Sequence, residues 1–89
     1  LHKRGNTLMH TRLLARLVQE LAIVYSKVIQ QGCREEVFKT ETPLESAELL
    51  LAGIQFLTDD GIYPWSKKDL IRRKKAIPQL IEAQLRIQK

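Results

Sequence analysis

Thr42-Pro43-Leu44-Glu45-Ser46-Ala47-Glu48-Leu49-Leu50-Leu51-Ala52-Gly53-Ile54 is the stretch on which the reading of this chain turns. Thr42 is a helix-capping residue type. Pro43 takes the first helical position, where a missing amide hydrogen is no loss, and Glu45 completes a capping box. The pattern predicts a helix from Pro43 to about Leu57 or Thr58 that stops near Gly61. Its Leu49-Leu50-Leu51-Ala52 run wraps most of the circumference, whereas an ordinary surface helix has one dry stripe. Gly53 lowers helix propensity by about 1 kcal/mol relative to alanine, a loss that close helix packing would offset. So apolar a helix needs something to pack against.

The chain around it is short. Eighty-nine residues make one small domain with a modest core. An apolar content of 44%, mostly Leu, Ile and Val, is that of a folded rather than a disordered chain. One cysteine excludes an intrachain disulfide and a multi-cysteine zinc site. No run of 18 apolar residues predicts a membrane span. The chain starts at Leu1 in mid-pattern, without a methionine or a secretory segment, and is expected to be a piece of something longer.

The net charge of +5 is unevenly spread. Residues 1–40 carry 7 basic and 3 acidic groups, residues 41–60 carry 0 and 5, and residues 61–89 carry 8 and 2. The cluster Lys67, Lys68, Arg72, Arg73, Lys74 and Lys75 would attract phosphate, as in a small basic nucleic-acid-binding module. It reads equally as the solvated face of a helix whose long side chains border a buried stripe. No aromatic residues are interleaved for stacking bases.

Leu14, Val18, Leu21, Tyr25 and Val28 fall at alternating steps of four and three, one face of a long helix from about His10 to Gln31. Gly5-Asn6-Thr7 reads as a break before it, with residues 1–4 ending an earlier helix. Gly32 marks a weakened or ended turn, with Val37 and Phe38 sealing that end of the core. Farther on, Ile62-Tyr63-Pro64-Trp65 makes a rigid connection. Ser66 and Asp69 repeat the capping pattern before a last helix from about Lys67 to Ile87, which Pro78 should bend. Its apolar positions are Leu70, Ile77, Leu80, Ile81 and Leu85. The fold class expected is all-α.

Catalytic chemistry is not indicated. His2 and His10 lack ligand spacing, and Cys33 has no histidine beside it and reads as a small, partly buried side chain. Asp59 and Asp60 read as solvated loop residues. No phosphate-loop, dinucleotide or HExxH motif is present. The chain is expected to be no enzyme and to hold no metal and no cofactor.

The succession Gln30-Gln31-Gly32-Cys33-Arg34-Glu35-Glu36-Val37-Phe38-Lys39-Thr40, then Pro43-Leu44-Glu45-Ser46-Ala47-Glu48-Leu49-Leu50-Leu51, resembles the regulatory domain of TetR-family transcriptional regulators. There a helix commonly ends in "QG-x-x-E-G-x-F" and a "P-x-x-x-A-x-x-L-L" helix follows. Gln31, Gly32, Glu35 and Phe38 match, while Glu36 stands where the pattern has its second glycine. Leu1-His2-Lys3-Arg4-Gly5-Asn6 and Gly61-Ile62-Tyr63-Pro64-Trp65-Ser66 resemble one branch of the family.

The resemblance implies a partial C-terminal regulatory and dimerisation domain over residues 1–89 of a cytoplasmic regulator, its N-terminal helix-turn-helix domain absent. Its partner would be a second copy, with operator DNA bound only through the absent domain and no membrane involved. An unidentified small-molecule effector would bias the separation of the two DNA readers. The last two helices would form an intermolecular four-helix bundle, with Leu50, Leu51, Ile54, Leu57, Ile77 and Ile81 at the interface. Met9, Tyr25, Ile29 and Phe38 are candidate pocket-lining residues, although core packing predicts the same side chains.

Overall fold

Three helices follow one another: α1, Arg4–Arg34; α2, Pro43–Thr58; and α3, Lys67–Leu85. The computed structural model describes residues 4–61 and 63–87, so the expectations for residues 1–3, His2 included, and for Ile62 lie outside the described residues. Among the described residues there is no strand, and the fold is all-α.

The Gly5-Asn6-Thr7 stretch does not interrupt the chain, because α1 runs straight through it. A capping residue is worth only about 1 kcal/mol, whereas each residue added to a growing helix brings another backbone bond. Thr11 Oγ1 donates back to Thr7 O at 2.9 Å, as a threonine inside a helix does.

The other end of α1 explains two positions of the resemblance. Gly32 lies within the helix rather than ending it, and its backbone is not left-handed. It is glycine because the Phe38 ring folds back over it: a Cβ there would sit 2.3 Å from Phe38 Cδ2. The left-handed residue is Glu36, with φ 62°. Its N–H donates to Cys33 O at 3.1 Å and the Val37 N–H to Gly32 O at 2.8 Å, the two bonds of a Schellman turn. Glu36 thus holds a backbone conformation that favours glycine. At the end of α3, Arg86 is also left-handed, with φ 51°.

α2 begins at Pro43 and ends at Thr58. Thr42 occupies the cap position, but its side chain makes no capping bond, so the expected capping box is not formed. With φ −129° and ψ 63° it lies outside the extended region that a capping residue adopts. Its hydroxyl sits instead 3.3 Å from Ser46 Oγ. Ser46 is 1% exposed, and Thr40 Oγ1 and Gln84 Nε2 also approach its oxygen at 3.4 Å. At the start of α3 the expected cap does form, with Ser66 Oγ accepting from Asp69 N–H at 3.1 Å. Pro78 lies inside α3.

α2 packs against α1 on one side and α3 on the other. Ala22, Ile29, Ala47 and Leu85 form the buried cluster, with Leu51, Phe38, Leu44 and Ile81 among the half-buried side chains against it. The inward face of α1 is rotated from the expected stripe. Tyr25 and Val28 are exposed, while Ala22 and Ser26 are buried. Small side chains allow the closest approach of two helix backbones, and Ala47 on α2 shares the buried cluster with Ala22.

The three helices lie side by side in one layer. The molecule measures 47 × 28 × 13 Å, and its thickness is about one helix diameter. Its accessible surface is 7071 Å², against about 5,400 Å² for a compact monomer of this mass. A single layer leaves both of its faces bare, and folded domains ordinarily have at least two layers.

Two substitutions at the end of α1 should move stability in opposite directions. Glu36→Gly relieves the left-handed conformation and should stabilise by about 1 kcal/mol, or roughly 4–8 °C in melting temperature. Gly32→Ala drives a methyl into the Phe38 ring and should destabilise by about 1–3 kcal/mol. Thermal melts followed by circular dichroism at one protein concentration check both.

Candidate functional site

An apolar groove of about 450 Å³ lies between α2 and α3. Leu49, Leu50, Gly53, Ile54 and Leu57 form its α2 wall, and Ala76, Ile77, Leu80 and Ile81 form its α3 wall. At the far end it is bounded by Thr58, Arg72 and Arg73. The α2 residues recur at three- and four-residue steps and so share one side of the helix. Leu49 is 66% exposed and Leu80 59%.

Five of the six residues expected at an interface line this groove: Leu50, Ile54, Leu57, Ile77 and Ile81. Leu51 does not line it and packs against the buried cluster. The candidate pocket residues are scattered. Met9 and Tyr25 are exposed and Ile29 belongs to the core, while Phe38 covers Gly32. Met9 and Ile29 stand about 30 Å apart along one helix, too far to share a small cavity.

Contacts at the end of α2 hold the groove's walls in place. Thr58 Oγ1 donates to Ile54 O at 2.6 Å, Trp65 Nε1 to Phe56 O at 3.0 Å and Arg73 Nη1 to Leu57 O at 2.8 Å. The Trp65 and Arg73 donors thereby satisfy carbonyls that a helix C-terminus otherwise leaves open. The Arg73 guanidinium lies 4.3 Å from the Trp65 ring centre. Phe56 meets that ring edge-on at 5.7 Å, and Tyr63 lies against it at 4.6 Å. Each aromatic pair adds about 0.5–1.5 kcal/mol beyond area burial.

Asp59 is not the solvated loop residue expected. Its Oδ2 is 3.0 Å from His10 Nε2, and its Oδ1 accepts the Gly61 N–H at 2.8 Å. The contact joins the first half of α1 to the end of α2. Asp60 is exposed. The Cys33 Sγ donates to Thr40 O at 3.7 Å. No group of three or more His, Cys, Asp or Glu among the described residues could hold a metal ion. No described helix is long and apolar enough to cross a membrane.

The basic cluster is divided in use. Arg73 is committed to Trp65 and Leu57 O, and Arg72 pairs with Asp69 at 3.4 Å. Lys67, Lys68, Lys74 and Lys75 are exposed.

A family model described as "Tetracyclin repressor-like, C-terminal domain" matches residues 1–79. The chain belongs to that family. No curated protein matches it. The match to the tetracyclin repressor-like domain takes in α1 and α2 entire and ends within α3 at Gln79. Family membership and the all-helical fold give the chain a TetR-like regulatory character. The family's glycine at position 32 has a physical cause in the Phe38 ring, as described above.

Asp69 ties the start of α3, and with it one groove wall, to pH. A hydrogen bond from the Ser66 side chain, then one from Arg72, holds its carboxyl below the ordinary value of 3.8. A lowered folded-state value stabilises the fold above the unfolded value and ceases to do so as pH falls through the folded value. The contribution of Asp69 to stability should therefore fade as pH falls below 3.8. The stability difference between the wild type and Asp69→Asn should be largest near neutral pH and shrink through that range, as followed by circular dichroism melts.

Proposed function

We propose that this chain is the dimerisation and effector-responsive part of a cytoplasmic TetR-family transcriptional regulator, without catalytic activity. The observation that carries the reading is the open apolar groove between α2 and α3. A second copy related by a two-fold axis would set its own α2 and α3 against these, making a four-helix bundle of two helix pairs. Leu50, Ile54, Leu57, Ile77 and Ile81 would lie in that bundle, with Leu51 supporting α2 from the core side.

The DNA-reading helix-turn-helix would lie in a separate N-terminal domain, so operator DNA would be a partner of the whole regulator. The effector would be a small molecule bound against α1 beside Tyr25, which is exposed. Other helices of the regulator would complete the wall. Binding there would shift the balance between two spacings of the DNA readers, a coupling of about 1–3 kcal/mol in typical cases. The rival reading, a basic nucleic-acid module on Lys67–Lys75, is weaker because Arg72 and Arg73 are engaged within the chain.

Sedimentation equilibrium tests the dimer. The wild-type chain should dimerise reversibly at micromolar concentration, and a folded monomer throughout that range would overturn the reading. Ile54→Lys should weaken the dimer by about 30-fold or more with helicity retained, because it places a charge in the apolar seam. Leu51→Lys, aimed at the core, should instead lose helicity.

A further inference from the structure

We propose that Gly53 is the floor of a socket on α2 that receives a large apolar side chain from a second copy of this chain. The inference rests on the dimer reading above and adds the point at which the two copies interlock. Leu50, Gly53, Ile54 and Leu57 stand at positions i, i+3, i+4 and i+7, the four corners of a hole in knobs-into-holes packing. All four line the groove.

The three described glycines whose surroundings are known behave differently. A Cβ on Gly32 would meet Phe38 at 2.3 Å, and one on Gly61 would meet Asp59 Oδ1 at 2.9 Å. A Cβ on Gly53 would meet nothing within 4 Å. No neighbour in this chain uses the space that Gly53 leaves, although glycine is a poor residue for the interior of a helix. The empty corner deepens the hole from outside.

A second copy is the occupant that fits. The accessible area exceeds that of a compact monomer by about 1,700 Å². About 800 Å² per partner, a standard interface, can therefore be removed on this face, with the remainder left for helices set against α1. The exposed leucines bordering the groove, Leu49 and Leu80, supply knobs of the required size. In a two-fold dimer the same surface on each copy supplies both socket and knob.

Sedimentation equilibrium on the wild type, Gly53→Ala and Gly53→Leu tests the socket. Both replacements are better helix formers, so damage to the helix cannot account for a lost dimer. The dissociation constant should rise about tenfold for Gly53→Ala and about a hundredfold for Gly53→Leu. A Gly53→Leu dimer within about threefold of wild type, or tighter, would overturn the socket while leaving the dimer standing. A wild-type chain that stays monomeric would overturn both.

Discussion

The close seam between α1 and α2 governs everything else in this molecule. Ala22 on one helix and Ala47 on the other share the buried cluster, and their small side chains let the backbones approach where larger ones would hold them apart. The seam fixes which way α2 is turned. With Ala47 buried and Leu51 packed on the buried cluster, Leu49, Leu50, Gly53 and Leu57 are left along the flank toward α3, which covers them only in part. The groove is the residue of that geometry, since a helix apolar around most of its circumference cannot be buried by two neighbours in one layer.

A layer one helix thick has little core with which to hold its parts, and polar contacts contribute where burial does not. The His10–Asp59 contact pins the far end of α2 to α1. The Lys39 N–H donates to Leu85 O at 2.9 Å, joining the α1–α2 connection to the last turn of α3. The hydroxyls of Thr40, Thr42 and Ser46 gather where all three helices come together near the start of α2. A net hydrogen bond is worth only about 0.5–1.5 kcal/mol. At the edges of so thin a structure, however, few apolar contacts compete with it.

The sequence carried the helices well and their mutual orientation poorly. Pro43, Ser66 and the long apolar periods place all three helices because these signals are local. The recurrence of Leu50, Ile54 and Leu57 on one flank of α2, the flank that lines the groove, was also legible. What escaped was any feature in which smallness or distance matters. The large-residue stripe of α1 pointed to Tyr25 and Val28, whereas Ala22 and Ser26 do the packing, because apolar periodicity weights size and close approach rewards its absence. Thr42 is the right residue type for a cap, but its backbone angle and the nearby Ser46 draw the hydroxyl elsewhere. The pairing of His10 with Asp59 joins positions 49 residues apart, and no spacing rule reaches so far. Glu36 was the informative exception: a departure from a glycine pattern marked the position that is left-handed.

The aromatic junction at the end of α2 also gives the protein a built-in optical reporter. Trp65 is the chain's single tryptophan, so selectively excited ultraviolet emission arises from one place. That indole touches Arg73, Phe56 and Tyr63 and bonds to the α2 backbone. Its emission reports on the junction between the end of α2 and the start of α3 without any attached label.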